Sequence, residues 1–342
     1  MPATLKDVAE LAKVSITTAS HALNGKKVNE NTRQRVLDAA KMLHYYVNIN
    51  GRNLITQKTH NLTLLVLNFR GVGDMTEDIS YYYQMLKGAM LCAQKYDYSI
   101  KFETAFWADI REGDYFEQKV FGRSTDGIIV IPQYKFRCDF LKLLEDESYP
   151  FVMVNPWAEV SDMHKVYIDN FAGGKLAAQC AGRHDRILFI NGPEEHISAA
   201  MIEQGFIAGL LERGIRFEEQ GIVYSDYTHE GGYYAMKKVL SDNAGQPTFV
   251  FCANDYMATG VLTAAHEMGL KIPQDVSILG FDGMDVSKCV FPRLSTIDVD
   301  VSSMGYEAVS RLISLIEHPE KAAGLSPVCI SPSLLVRSTT RP

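Results

Sequence analysis

Apolar residues recur along this chain at two spacings, and the change of spacing divides it. From Leu5 to Leu43 they fall three and four apart, the period of one face of a helix. Leu5, Val8, Ala9 and Ala12 mark a first helix. Val14, Ala19 and Leu23 mark the inner face of a second, and Val36, Leu37, Ala40 and Leu43 the stripe of a third. Thr4-Leu5-Lys6-Asp7 fits the capping box, in which hydroxyl and carboxylate satisfy the unpaired amides of a helix start. Lys13-Val14 is a compact break, after which Ser15 caps the second helix. Asn24-Gly25 ends it, because glycine tolerates the left-handed conformation of helix ends. Asn29 or Asn31 caps the third, whose wet face holds Arg33, Arg35 and Lys41. The pattern predicts a helix-turn-helix unit. Its second helix shows Ile16, Thr17, Thr18, Ser20 and His21, short side chains of the kind a major-groove reader needs. A plain three-helix bundle has the same periodicity.

Beyond Asn61 the pattern changes to short apolar runs rich in β-branched residues. Runs at 62–69, 99–106, 127–132, 150–155, 186–192, 221–226, 248–255 and 276–283 read as buried strands. Amphipathic stretches at 80–97, 197–214, 230–243 and 255–269 separate most of them. Strand-helix alternation implies crossover connections and parallel sheets covered on both faces. Two sets of strands predict two lobes, with a break near Arg183–Arg186. Asn155, Asn254 and Asp282 each end an apolar strand, where a polar group needs a reason to be. Small ligands of such folds bind near those strand ends. Tyr81, Tyr82, Trp157 and Phe281 are candidate stacking faces, although for each one alone core packing is the favoured explanation.

Composition narrows the function. Of 342 residues, 46% are hydrophobic and 22% charged, which excludes a disordered or collagen-like chain. No apolar run approaches the ~18 residues of a membrane span, and MPATLKDVAELAK carries charge where a signal peptide is apolar. A cytoplasmic protein is expected. The six cysteines, at 92, 138, 180, 252, 289 and 329, include no CxxC pair, so neither a zinc site nor a disulfide framework is indicated. No metal or cofactor is expected. No GxSxG, P-loop or HExxH motif appears, and an enzyme is not expected. The net charge of −7 conceals an asymmetry: residues 1–60 carry +5 and the remainder −12. A small basic head on a large acidic body suits a polyanion-binding segment, although a solvated helical face has the same charge.

LKDVAELAKVSITTASHALNG followed by VNENTRQRVLDAAKMLHYYVN resembles the DNA-binding head of the lac repressor (LacI/GalR) family over some fifty residues. The resemblance implies that Ile16 and Thr17 reach base edges, with Thr18 and Ser20 nearer phosphates. Thr4, Ser15, Asn24, Asn48 and Gly51 complete the candidate DNA-facing set. His21 stands where the family usually carries Arg, which replaces a bidentate fork to guanine with an imidazole and implies a changed operator. Residues 47–60 resemble the family's hinge, a short helix entering the minor groove, with Leu54 as the wedge that opens a base step. Val47 replaces a frequent Pro there, and Gly51 replaces Ala, which weakens the helix by about 1 kcal/mol.

The body is similar to the type I periplasmic-binding-protein fold that this family uses as its sensor. The carrying motifs are Tyr167-Ile168-Asp169-Asn170 with Gly173-Gly174, Ile190-Asn191-Gly192-Pro193, Ala253-Asn254-Asp255-Tyr256-Met257-Ala258 with Gly260, Gly280-Phe281-Asp282, and Leu335-Val336-Arg337-Ser338. In HISAAMIEQGF the family usually places an effector-clasping Arg three residues before the Gly; here Ile202 stands there. That disfavours a phosphorylated or carboxylated effector and favours a neutral sugar or nucleoside. CAGRHDRI is also shorter than the family's approach to its sixth strand. The expectation is an all-α helix-turn-helix head (1–46), a hinge (47–60) and a two-lobed α/β body (61–342). Such a chain is a homodimeric regulator, most simply a repressor, binding pseudo-palindromic operator DNA under control of a small effector. LLVRSTTRP ends without a leucine heptad, so a tetramer-forming tail is not expected. Two alternatives remain open: a regulator with no ligand or with a protein coregulator, and a solute-binding protein without DNA function.

Overall fold

A computed structural model describes residues 3–24, 26–46, 58–68, 79–112, 114–135, 139–157, 160–183, 185–241 and 248–341. Two compact units divide at Thr59 and His60.

The first unit holds α1 (Leu5–Leu11), α2 (Ile16–Leu23) and α3 (Glu30–Met42). Each begins where a side chain can take up a free amide. Thr4 and Asp7 form the expected capping box, Ser15 accepts from the Thr18 amide, and Asn29 rather than Asn31 caps α3. Lys13, between α1 and α2, adopts φ +52°, which makes the turn tight. The core is built from Val8, Ala9, Ala12, Ala19, Ala22, Val36, Ala39 and Ala40. Alanines let three short helices meet closely. Leu37, expected inside, is 42% exposed. Successive helical residues are 100° apart, so Leu37 turns away from the 36/40/43 row and Ala39 takes the inner place.

The second unit contains two six-stranded sheets. In chain order its elements are β1 (Asn61–Asn68), α4 (Ile79–Lys95), β2 (Ser99–Phe106), α5 (Trp107–Glu112), α6 (Tyr115–Gly122), β3 (Gly127–Pro132), α7 (Asp139–Asp146), β4 (Phe151–Val154), β5 (Lys165–Ile168), α8 (Asn170–Ala178) and β6 (Ile187–Asn191). There follow α9 (Ile197–Glu212), β7 (Ile222–Tyr224), α10 (His229–Ser241), β8 (Phe249–Cys252), α11 (Asp255–Glu267), β9 (Ser277–Asp282), α12 (Val286–Cys289), β10 (Ser295–Asp298), α13 (Val301–Glu317), β11 (Val328–Ile330) and β12 (Ser333–Leu335).

The first sheet runs β11-β5-β4-β3-β1-β2, and all its pairs are parallel. The second runs β12-β10-β9-β8-β6-β7, parallel except for β12 against β10. Alternate residues of the first sheet enter opposite cores. Leu64, Ile129 and Val152 join one, and Leu65, Val130 and Met153 the other. Such burial on both faces explains the unbroken apolar runs. Two expected buried strands, β2 and β7, are sheet edges and only partly covered.

The single break expected near Arg183–Arg186 is incorrect. The chain passes between the lobes three times: from β5 to α8, from β10 to α13, and from β11 to β12. Helix pairs fix each lobe by close backbone approach at glycines. A Cβ on Gly88 would lie 1.8 Å from Ser302 O, one on Gly174 2.2 Å from Ile202 O, and one on Gly260 1.9 Å from His229 O. These are the crossings of α4 with α13, α8 with α9, and α10 with α11.

Candidate functional site

In the first unit, α2 presents an exposed face. Ile16 is 50% exposed, Thr17 is exposed, and Thr18, Ser20 and His21 are half-buried. The helix is braced at both ends. Ser15 Oγ takes the Thr18 amide at 3.0 Å and pairs with the Thr18 hydroxyl at 2.8 Å. Asn24 Nδ2 donates to Ser20 O at 2.8 Å and to Ser20 Oγ at 3.3 Å. Thr4 commits its amide and hydroxyl to Asp7 Oδ2, at 2.7 and 2.8 Å. Thr4, Ser15 and Asn24 therefore hold helix ends, while Ile16 and Thr17 present unencumbered tips. Asn48, Gly51 and Leu54 lie outside the described residues.

In the body, a cavity of about 480 Å³ lies between the lobes. From the first lobe come Tyr81 and Tyr82 on α4, Gln133 and Tyr134 after β3, Asn155 after β4, and Ile168. From the second come Asn170, His196, Ile202, Asp226, Tyr227, Phe281 and Asp282. These positions share one cause: parallel strands in both lobes bring their carboxyl ends to the same crevice.

The geometry of several lining residues is set by local bonds. Asn155 has φ +47° and its Oδ1 accepts the Ile168 amide at 2.9 Å, leaving Nδ2 as its remaining donor. Asp282 (φ +94°) and Gly283 (φ +72°) turn the chain at the end of β9. Tyr82 is buried, edge-on to Tyr81 at 5.7 Å, and its hydroxyl accepts from Gln133 Nε2. His196 sits edge-on between Tyr134 at 5.4 Å and Tyr227 at 5.2 Å, with Nδ1 3.2 Å from the Tyr227 hydroxyl. Burial pushes His196 down to about 4, so the imidazole is neutral at physiological pH. Ile202 is buried in the wall. Among the described lining residues there is no lysine or arginine, and the carboxylates are Glu194, Asp226 and Asp282. The lining therefore suits hydroxyls and apolar ring faces better than an anion.

Tyr81, Tyr82, Asn155, Ile202, Phe281 and Asp282 thus come together at the cavity, and two expected residues do not. Asn254 is a buried helix cap: Oδ1 accepts the Met257 amide at 2.8 Å and Nδ2 donates to Tyr227 O at 2.9 Å. Trp157 packs with the core on the Leu65 face of the first sheet. Phe281, expected as a stacking face, is 1% exposed and fills the space left by Gly173, where a Cβ would lie 2.7 Å from its ring. Gln133, Tyr134, Asn170, His196, Asp226 and Tyr227 were not expected. Gln133 carried a legible signal, since it is the polar residue directly after the apolar run GIIVIP. His196 and Tyr227 lie in loops whose spacing carries none.

Among the described residues no group of His, Cys, Asp and Glu could hold a metal ion, and no helix is long and apolar enough to cross a membrane.

Comparison with known proteins gives matches to two family models. Residues 4–48 match bacterial regulatory proteins of the lacI family, and residues 180–340 match a periplasmic binding protein-like domain. The chain is 30% identical over 323 residues to the "Probable HTH-type transcriptional repressor ExuR" of Bacillus subtilis (strain 168), covering 94% of this chain and 93% of that one. Among solved structures it is similar to the lac repressor dimer bound to operator and the anti-inducer ONPF (TM-score 0.81, 22% identity, 99% of each chain). It is also similar to the transcriptional regulator CelR in complex with cellobiose (TM-score 0.67, 25% identity, 98% of this chain and 99% of that one).

Proposed function

The chain belongs to the lacI family of bacterial regulatory proteins, DNA-binding transcription regulators rather than enzymes, and from that premise we propose that it is a dimeric repressor whose operator affinity is set by a neutral, hydroxyl-rich effector. One observation carries the reading: a single chain joins a braced, exposed α2 to a cavity between lobes that has no lysine or arginine among its described lining residues.

On this reading Ile16 and Thr17 meet base edges, and Thr18 and Ser20 lie toward phosphates. His21 reads the base pair where relatives use Arg. Asn48, Gly51 and Leu54 belong to the hinge, with Leu54 as the minor-groove wedge. Twofold pairing follows from a pseudo-palindromic site, because one recognition helix reads half of it. The outer face of α4 with β2 supports a partner copy: Ile79, Tyr83, Met90, Leu91 and Phe102 are all exposed there, and apolar residues gathered on an exposed face suit an interaction surface. A regulator of chromosomal genes acts in the cytoplasm. Asn155, Asp282 and the tyrosines hold the effector's hydroxyls and ring faces.

The test is selection of duplexes from a random pool by the full chain, followed by titration of the selected site with and without cellobiose, ribose and nucleosides. A twofold-symmetric site whose affinity changes with one of these compounds is expected. No enriched site, or response to sugar phosphates alone, overturns the reading.

A further inference from the structure

Gln133 joins three parts of the body. Its amide N–H donates to Leu67 O on β1 at 3.3 Å, and its carbonyl accepts the Ile197 amide of the other lobe at 3.0 Å. Its side-chain Nε2 donates to the Tyr82 hydroxyl on α4. Beside it, Tyr134 forms an isolated β-bridge with His196, so the loop after β3 ties the first lobe to the start of α9 in the second. The fourth polar group, Oε1, is buried and has no hydrogen-bond donor among the described residues. Gln133 lines the cavity. A buried acceptor left unpaired is destabilising, and a donor brought into the cavity relieves it.

We propose that Gln133 is a specificity-determining residue of this cavity, its Oε1 accepting a hydrogen bond from a hydroxyl of the bound effector. The inference rests on the effector reading given above and deepens it by naming the contact. Because the same residue bridges the lobes through its carbonyl, the bond forms where a change of lobe angle must pass. Effectors with a donor at that point are selected over otherwise equal molecules that lack one.

The experiment compares the wild-type full chain with Gln133→Leu, which has similar bulk and no acceptor. Binding is measured for whichever of cellobiose, ribose or the nucleosides stabilises the wild type most, and for its monodeoxyfluoro analogues, in which fluorine replaces a hydroxyl and cannot donate. Gln133→Leu should weaken the parent compound by about ten- to a hundredfold. One analogue should lose a similar factor against wild type and nothing further against the variant. Undiminished binding by Gln133→Leu, or full additivity of substitution and fluorination for every analogue, overturns the proposal while the effector reading stands. Should the apolar variant not fold, Gln133→Glu carries the test, since a carboxylate can accept from both the Tyr82 hydroxyl and the ligand. It should hold the parent within about threefold and reject the same analogue, and equal binding of all analogues overturns the proposal. If no compound stabilises the wild type, the effector reading falls and takes this inference with it.

Discussion

At the scale of single residues, Asp255 shows how burial governs a charge. It is 0% exposed at the start of α11, and its Oδ2 accepts the Met284 amide at 2.6 Å. Burial pushes its carboxyl up to about 8, against the opposing pull of the Thr296 hydroxyl, the Met284 amide and the Arg337 guanidinium. The unfolded chain ionises near the ordinary carboxylate value while the native one holds its proton. Between about pH 4 and 8 the native state therefore binds more protons, and stability falls as pH rises. The slope is at most about 1.4 kcal/mol per pH unit. Asp255→Asn should flatten that part of the profile and melt above wild type at pH 8, as thermal denaturation across pH would show; parallel profiles would refute it. On the proposed role of α2, His21→Arg should move preference toward guanine at one base pair by about 1–3 kcal/mol, visible as an altered motif in duplex selection. The same residue scale sets the limit of what the sequence discloses. A polar residue closing an apolar strand is a good signal, and it located Asn155 and Asp282 at the cavity. It also pointed to Asn254, because the end of a parallel strand is equally the start of a helix that needs a cap. Only the backbone angle decides which of the two a side chain serves.

At the scale of elements, unbroken apolar runs were legible; short strands of mixed polarity were not, nor was the 17-residue α13. Strands β1, β3, β4, β6, β8 and β9 and helices α4, α9, α10 and α11 stand out through period and length. β5 (KVYI), β10 (STID) and β12 (SLL) mix polar with apolar residues, unlike the equally short β4 and β8, and with β11 they are strands only because distant chain pairs with them. β11 joins β5 across some 160 residues, as in Cys329 opposite Tyr167, and such pairing leaves no local trace. The triple crossing was missed for that reason: it depends on which sheet those short strands join. Glycine positions were readable as motif members, but their cause is the helix crossing. A Cβ at Gly260 would meet two backbone atoms, His229 O at 1.9 Å and Tyr233 N at 2.6 Å, neither of which can swing aside. Gly260→Ala gains up to about 1 kcal/mol of helix propensity, yet it should be net destabilising by about 1–3 kcal/mol because α10 and α11 are forced apart. Gly122, at the end of α6, has nothing within 4 Å of an added Cβ. Gly122→Ala should be neutral or stabilising by up to about 1 kcal/mol. Denaturation of both variants reads the contrast in sign, and equal effects would reject the crossing argument.

At the scale of the whole molecule, charge and connectivity bear on one equilibrium. The +5 of residues 1–60 and the −12 of the rest put the attraction for phosphate in the small part of the chain. Specific binding should then weaken steeply with salt, by about 10³–10⁵ between 50 and 200 mM for six to ten phosphate contacts. The three passages between lobes make the other half of the mechanism. Rigid sheets joined by three short connections change angle more readily than they change internal packing, so a ligand that bridges Asn155 in one lobe and Asp282 in the other acts on that angle. If the angle in turn biases how two heads are presented to an operator, linkage fixes the quantitative consequence. The factor by which effector changes operator affinity must equal the factor by which operator changes effector affinity. Both can be measured in full by titrating effector into the protein and into its operator complex, and operator into the protein with and without saturating effector, at one salt concentration. A factor of 5–150 is the usual range for such coupling. Equal effector affinity with and without operator would mean that cavity and head do not communicate, whatever each binds on its own.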